Sequence, residues 1–572
     1  MKRTLLAFLL FTAVLCPGIA SAQGWQWGKT AEICKPYASA ASSAHAWPMA
    51  TDADGNVYVA MWSSFDSIGS AAFTSHSSIY QTQVILTKYD NAGNVIWSRS
   101  STSGNTMPMD ITVDANSNVF LYGYFSGDEV KFGAQTIVRT AAMGSNTTYV
   151  IKYDKEGTFQ WKVNAGTVSL NTEKQSAGSI AADDQGNVYA AATYYSTVKI
   201  GTYTLANSGS EDISVAKYSP AGALIWAKRF GGIGYDRVSS ITVNKNNKIL
   251  LAGEFSSPSM AFGSTSLSFS ASCASSGYSC FNIYIAQLGT DGSVAWARQS
   301  QGNSRVMSIV TDSLNDIYIG GSLLDDMVSF GGHSIADGHN DPFLAKYSST
   351  GDVIRVIPFT QTMPVERPHA IWDVAIDACN NVWVSGGMDT LFGNGVYVDT
   401  SIILPVPQTG IDPLYIVSYT PSGLLNDYAV LSSGGLSNSG LAADRQGTIF
   451  LCGYYNAATT MYMGADSLAA VADVYRNFFV GRYRPLRSCI ANSVTSFAGT
   501  ETLDVYPNPT SGNIYLSAAA PIGNVTITDM LGRTVLTATY AATAASIQVD
   551  NLAPGMYLLR TGNGQVHKLV KE

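Results

Sequence analysis

"TDADGNVYVA" from Thr51, "VDANSNVFLYG" from Val113, "ADDQGNVYAA" from Ala182, "VNKNNKILLAG" from Val243, "TDSLNDIYIGG" from Thr311, "IDACNNVWVSGG" from Ile376 and "ADRQGTIFLCG" from Ala443 are one motif written seven times. The first apolar residue after each turn marks the period: Val57, Val119, Val188, Ile249, Ile317, Val382 and Ile449 are spaced by 62, 69, 61, 68, 65 and 67 residues. So even a spacing is the signature of a repeat architecture. A second motif follows in each repeat, as in "VILTKYDNAGNVIWSRS", "YVIKYDKEGTFQWKV" and "ISVAKYSPAGALIWAKRFGG". Each repeat therefore reads as four short strands: one ending at the Asp or Asn, one after the Gly/Asn turn, one ending at Lys-Tyr and one carrying Trp. Two of the links are tight Asp/Asn/Gly turns, while the link from second to third strand is long and variable.

Four-stranded units repeated around a circle leave only short, protected sheet edges. The pattern predicts an all-β chain whose main part is a seven-bladed β-propeller with four-stranded blades. The seventh repeat stops at "FFVGRYRPLRSC" without a fourth strand, whereas "GWQWGKTAEIC" from Gly24 sets Trp25 and Trp27 in a segment like "IWAKRFGG". A strand near residues 24–32 is thus expected to complete the last blade of a propeller spanning 23–490. Tight turns then share one face, and the long links share the other. Trp97, Trp161, Trp226 and Trp296 occupy equivalent fourth-strand positions, with Arg355 at the fifth, and repetition predicts that they pack between blades.

Composition agrees with this reading. Of 572 residues only 13% are charged while 53 are Gly and 31 are Tyr, which suits turns and strands and excludes a helical bundle. A net charge of −8 without a basic stripe excludes a sequence-independent nucleic-acid binder. Residues 1–22 read as a cleaved signal peptide: Lys2-Arg3, an apolar stretch from Leu5 to Leu15, and Ala20-Ser21-Ala22 at the cleavage site. No later run is long and apolar enough for a membrane helix. Cys16 leaves with the leader. The six other cysteines form an even set in an exported chain, which permits disulfides. Cys273 and Cys280 fall in one insertion and suit a loop staple; Cys34 and Cys489 lie beyond neighbouring strands and are placed to lock the ring. Cys379, in a tight turn, and Cys452, on a strand, are expected as unpaired small residues.

The repeats resemble the bacterial SBBP β-propeller repeats in their "G-N-V-Y", "F-G" and "D-x-x-V-A-K-Y-x-x-x-G-x-x-x-W" positions, over roughly residues 24–490. That resemblance implies architecture and says little about activity. After a polar linker, 491–502, the composition changes. "LDVYPNPTSGNIYL", "VTITDMLGRTV", "IQVDNLAPGMYLLR" and "HKLVKE" alternate apolar and polar residues between turns, which predicts a small Ig-like β-sandwich over 503–572. This tail resembles the type A C-terminal sorting domain of the Bacteroidetes type IX secretion system. Leu503, Val505, Tyr506, Pro507, Asn508, Pro509 and Gly512 match its opening motif, and Asp529, Gly532 and Arg533 its central one. Leu552, Gly555, Tyr557 and the end Lys568-Leu569-Val570-Lys571 match its closing motif. The resemblance implies passage through the periplasm, recognition by the secretion machinery, removal by a sortase-like peptidase, and a cargo held on the outer surface or released.

Few residues suggest chemistry. Asp52-Ala53-Asp54-Gly55 looks like half a calcium loop but lacks the glutamate at the twelfth position, where Ser63 stands, so turn chemistry explains it. His333, Asp337 and His339 are the best metal candidates. No catalytic or cofactor-binding constellation is present. The long-link face carries Phe65, Phe73, His76, Tyr80, Phe125, Tyr194, Tyr195, Phe255, Tyr278, Tyr454, Tyr455 and Tyr462, which suits a glycan or protein ligand. The resulting expectation is a monomeric, secreted or cell-surface binding or scaffold protein. A glycan-active enzyme and a purely structural adhesion component are the alternatives. An enzyme of that kind needs two carboxyls about 5 to 9.5 Å apart, and Asp66, Asp128, Glu129, Glu254, Asp325 and Asp326 are the acids near that face.

Overall fold

The computed structural model describes residues 24–34, 48–63, 67–68, 71–72, 82–139, 146–168, 178–270, 280–336, 341–361, 370–387, 396–399, 402–404, 413–432, 437–456, 460–463, 466–468, 476–485, 503–518, 521–529, 534–561 and 566–571. Every regular element among them is a β-strand. The leader reading of residues 1–22 lies outside the described residues. The chain divides into two compact units, Met1–Ala491 and Asn492–Glu572.

The first unit holds seven large antiparallel sheets: five have four strands, and two have six because a hairpin from the next repeat adds to a four-stranded run. The second sheet shows the plan: Thr106–Val113, Val119–Phe125, Asn146–Tyr153 and Phe159–Val168 lie side by side in chain order. The second strand is buried at every position because neighbouring sheets cover both of its faces, and such a strand reads as a continuous apolar run. The first strands touch one another in a cycle. Met49–Thr51 lies beside Thr106–Val113, followed by Gly178–Ala182, Asp236–Val243, Ser304–Thr311, Ile371–Ile376 and Ser437–Ala443, which returns to Met49–Thr51. In the seventh sheet the outer strand is Gly24–Cys34, antiparallel to Arg476–Arg484 with Gly28 opposite Gly481.

The repeated turn has a simple cause. Asp52 Oδ1 accepts the backbone N–H groups of Asp54 and Asn56, at 3.0 and 2.9 Å, and Asp114, Asp183, Asp312, Asp377 and Asp444 accept the matching pair in their own turns. The residue three places on has a left-handed φ, and there the chain carries Gly55, Ser117, Gly186, Asn247, Asn315, Asn380 or Gly447. These are residue types that tolerate that conformation. The turn between third and fourth strands has the same φ but uses glycine throughout: Gly93, Gly157, Gly222, Gly292, Gly351 and Gly423. A side chain from the preceding sheet lies on each. A Cβ at Gly157 would come within 2.7 Å of the Trp97 ring, one at Gly222 within 2.7 Å of Trp161, and one at Gly93 within 3.0 Å of Trp27.

The tryptophans do pack between sheets, and four of the five at this position also donate a hydrogen bond, the Trp296 indole N–H being buried without one among the described residues. Trp27, Trp97, Trp161 and Trp226 give their indole N–H to the carbonyls of Asn91, Lys155, Pro220 and Thr290, at 2.9 to 3.1 Å. Lys88, Lys152 and Lys217 reach the same three carbonyls as the tryptophans of their own sheets, at 3.2 to 3.3 Å, while their stems are buried.

The long links are not loops alone. Each holds a two-stranded hairpin, such as Glu129–Phe132 with Gln135–Val138 or Ser259–Phe262 with Thr265–Ser268. Alternate hairpin residues (Val130 and Phe132, Met260 and Phe262) plug the gap between sheets. The hairpin strand Met327–Phe330 extends the edge of the preceding sheet, where Ser300 faces Phe330. An outer edge that would otherwise stand open is covered in this way.

Cys280 and Cys379 are disulfide-bonded and Cys452 is a buried thiol. This corrects the expectation for Cys379. It sits exposed at a turn tip, where its sulfur can meet another segment, and a small packing residue would be buried instead. Cys273, Cys489 and the Cys34 side chain lie outside the described residues.

In the second unit, Asp504–Tyr506, Asn513–Ser517 and Ala544–Gln548 form one sheet. Thr534–Tyr540, Gly523–Asp529, Gly555–Thr561 and Val566–Lys571 form the other. Ile514, Leu516, Ile527, Ile547, Leu559 and Leu569 share the core between them.

Candidate functional site

The long-link face divides by burial. Phe125, Tyr194, Phe255, Tyr454 and Tyr455 are buried, because they end second strands and lie beneath the hairpins. Phe132 of one hairpin packs on Tyr149 at 5.2 Å, and Tyr149 packs on Phe125 at 6.4 Å. Those five are cover and not contact surface. Tyr195 and Tyr462 are 44% and 55% exposed. Phe65, Phe73, His76, Tyr80 and Tyr278 lie outside the described residues. Among the acids, Asp128 pairs with Arg139 and Glu129 with Lys131, the latter at 2.6 Å. Asp325 accepts the Asn303 N–H at 2.7 Å, Asp326 is exposed, and Glu254 is buried. Asp66 is outside the described residues.

His333 is exposed on a hairpin strand opposite Phe330, while Asp337 and His339 lie outside the described residues. Among the described residues no group of three or more His, Cys, Asp or Glu is placed to hold a metal ion. The turn acid Asp52 is committed to its own turn and to Lys88, at 3.1 Å. Burial works to raise its carboxyl, but hydrogen bonds from Asn56 and Lys88 hold it below its ordinary value.

Two acids that the sequence reading missed lie on the inner strands. Asp110 Oδ2 accepts the Ser179 hydroxyl at 2.6 Å and the Ile180 N–H at 2.9 Å, both from the next sheet. Asp373 accepts the Ser308 hydroxyl from the sheet before it and the Leu441 N–H from the sheet after it, each at 2.8 Å. Half-buried by accessible area, both are enclosed on all sides by inner strands, and lost hydration pushes each carboxyl up to about 6. They stitch neighbouring sheets around the axis. Superposing the seven turn motifs would have found them, since the position four before the turn Asp or Asn reads Pro48, Asp110, Ser179, Ser240, Ser308, Asp373 and Gly440.

In the second unit the opening motif grips the last strand. Asn508 Oδ1 accepts the Val570 N–H at 2.8 Å, and the Thr510 N–H donates to the Val570 carbonyl at 2.9 Å. The Tyr506–Pro507 and Asn508–Pro509 bonds are both cis. Tyr506 stacks on Tyr515 at 6.0 Å, and Gly512 accepts the Val549 N–H at 3.1 Å. Gly555 starts the strand whose Tyr557 hydroxyl donates to the Ala553 carbonyl at 2.8 Å. Lys568 sits opposite Leu558 on the terminal strand, and Gly532 lies outside the described residues.

Residues 504–572 match the secretion system C-terminal sorting domain. The contacts between the 506–512 segment and the terminal strand are thus internal contacts of a sorting domain, and this domain marks the chain for export to the cell surface or the extracellular space. Among the described residues no helix is long and apolar enough to cross a membrane. Two curated proteins resemble parts of the chain. An uncharacterized WD repeat-containing protein, L264, of Acanthamoeba polyphaga mimivirus is 26% identical over 262 residues, 39% of this chain and 18% of its own. Regulatory protein FlaEY of Caulobacter vibrioides is 23% identical over 324 residues, 53% of this chain and 33% of its own. The chain spans a third or less of the length of these relatives. Among solved structures, PorZ, a surface component of the type-IX secretion system of Porphyromonas gingivalis, is 13% identical. That alignment covers 94% of this chain and 82% of PorZ at a TM-score of 0.20. A protein of unknown function from Bacteroides caccae is 13% identical over 59% of this chain and 91% of its own, at a TM-score of 0.29.

Proposed function

We propose that this chain is a type IX secretion cargo in which a seven-bladed β-propeller over 23–490 is carried by a linker, 491–502, and an Ig-like sorting domain over 503–572. The secretion machinery and a sortase-like peptidase read that domain, and the propeller then acts outside the cell as a binding or scaffold module. The match over 504–572 carries the export reading. Seven antiparallel sheets, each with a run of four strands in the same plan, and the cycle of their first strands support the propeller reading. A glycan or protein ligand is assigned to the long-link face, where Tyr195, just past the end of a second strand, and Tyr462, on a hairpin strand, are exposed.

Two measurements test this. Deleting residues 503–572 is expected to retain the chain in the periplasm of a type IX-competent cell, whereas the intact chain reaches the surface or medium; equal delivery of both sinks the export reading. A glycan array probed with the full chain, with released reducing ends assayed in parallel, tests the role of the propeller. Binding without release supports a binding module, and release overturns it in favour of an enzyme.

A further inference from the structure

In most sheets an indole fills the seam to the next sheet in the same way. Trp97 lies over Gly157, between Tyr58 of its own sheet at 5.8 Å and Tyr153 of the next at 6.3 Å, and donates to the Lys155 carbonyl. Trp161 against Phe120 and Trp226 against Tyr189 repeat the contact at 5.8 and 6.2 Å. At the fifth sheet the tryptophan is replaced by Arg355, yet the walls of its seat are kept. Tyr318 stands where Tyr58 does, Tyr419 where Tyr153 does, Gly423 where Gly157 does, and the Pro421 carbonyl where the Lys155 carbonyl does. Lys346 donates to that carbonyl at 3.2 Å, as Lys88 does to its counterpart.

The guanidinium lies over Gly423 but does not fill the seat. A partly open cavity of about 190 Å³ remains, lined by Tyr318, Leu344, Val382 and Tyr419 together with Lys346 and Arg355. In volume alone it has room for an aromatic ring, since about 150 Å³ suffices for benzene. At the sixth sheet the tryptophan is also missing, replaced by Asp427, but there the seam is closed: Tyr483 donates to Asp427 at 3.1 Å and its ring meets Trp383 at 5.9 Å. The charges at the fifth seam are unequal. Lys346 already pairs with Asp316 at 2.9 Å, whereas Arg355 is exposed and has no hydrogen-bond or ion-pair partner among the described residues.

We propose that this seam binds a planar aromatic acid: a bicyclic, indole-like ring seated between Tyr318 and Tyr419, its N–H donating to the Pro421 carbonyl and its carboxylate held by Arg355. The five tryptophans are the template for the ring, and the unpaired guanidinium supplies the preference for an anion. This site is separate from the long-link face and does not depend on the ligand assigned there.

Calorimetric titration of the full chain with indole-3-acetate and with neutral 3-methylindole tests the proposal, using R355Q and R355W alongside the parent. The parent is expected to bind indole-3-acetate at one site. R355Q is expected to weaken indole-3-acetate roughly tenfold and to change 3-methylindole by less than about twofold. R355W rebuilds the tryptophan of the other sheets, so it is expected to abolish binding of both and to raise Tm. No saturable binding to the parent overturns the site, as does binding to a folded R355W equal to that of the parent. Equal losses of both ligands in R355Q overturn the role of the guanidinium, and that arm remains decisive if R355W does not fold.

Discussion

Gly222 has a φ of 82° and Gly186 one of 77°, so alanine at either position meets about the same left-handed strain, on the order of 1–2 kcal/mol. Their surroundings differ. A Cβ at Gly222 would sit 2.7 Å from the Trp161 ring, whereas at Gly186 nothing lies nearer than 3.5 Å. Gly222→Ala is therefore expected to cost about 1–3 kcal/mol more than Gly186→Ala in urea unfolding; equal losses would refute the seat made for the tryptophan. The same contrast was partly legible in the sequence. One turn column varies among Gly, Asn and Ser while the other holds only Gly, but what lies on that glycine belongs to the neighbouring repeat, and a single repeat cannot reveal it. Asp110, Asp236 and Asp373 add a pH dependence. Burial raises each carboxyl to about 6, with the charge of Asp212 adding to Asp236 and that of Asp110 to Asp373. Groups whose folded pKa lies above the unfolded value bind protons earlier in the folded chain, so stability rises as pH falls from 7.5 through 6 toward 4. Urea unfolding free energies at pH 7.5 and 5.5 are expected to differ in that direction, by less than about 1 kcal/mol per carboxyl, with the rest of the gain appearing below pH 5.5. A flat or opposite trend would show that these acids are not enclosed. Asp52, held below its ordinary value, works the other way only at more acidic pH.

At the scale of elements, the four-stranded unit could be read because each strand ends at a turn with its own chemistry. The hairpins between second and third strands could not. Their strands are two to four residues long, too short for alternation to stand out, although "KFGAQTI", "KIGTYTL", "AFGSTSL" and "SFGGHSI" carry a common glycine and a common last apolar residue. Missing them exposed Phe125, Tyr194 and Phe255 on paper, whereas the hairpins in fact bury these rings. In the sorting domain, the motif residues are spread along the chain but two of them meet at one strand. Asn508→Ala removes the side-chain acceptor of the Val570 N–H. It is expected to raise hydrogen exchange at Val566–Lys571 about tenfold while the amides of Asn513–Ser517 stay protected. Unchanged exchange at Val570 would mean that Asn508 does not hold the terminal strand.

At the scale of the first unit, the cycle depends on its two chain ends. Trp27 and Arg482 both donate to the Asn91 carbonyl, at 2.9 and 3.0 Å, and Thr51 donates to the Ala443 carbonyl at 2.8 Å. Removing residues 24–34 leaves Arg476–Arg484 as an unpaired edge and strips the indole from Gly93. The truncated chain is expected to lose cooperative thermal unfolding and to aggregate, and a synthetic peptide of residues 24–34 to restore solubility. Melting identical to the parent would show that the seam is closed without this strand. The count of repeats was open to sequence reading because turn chemistry recurs seven times, and the incomplete seventh repeat pointed to its missing strand. The stitching by Asp110 and Asp373 shows only when repeats are superposed, because it joins each acid to a serine hydroxyl in the same column of a neighbouring repeat, and its other halves are the backbone N–H groups of Ile180 and Leu441, which leave no trace in residue type.

The seventh sheet also sets a clock. Its outer strand is the first described segment of the chain, while its partner, Arg476–Arg484, comes more than 440 residues later. At about 5–20 residues per second, the ribosome needs roughly 20–90 s between the two. For that interval the early strand has no partner, and whatever keeps it from pairing with another copy of itself governs the yield of intact molecules.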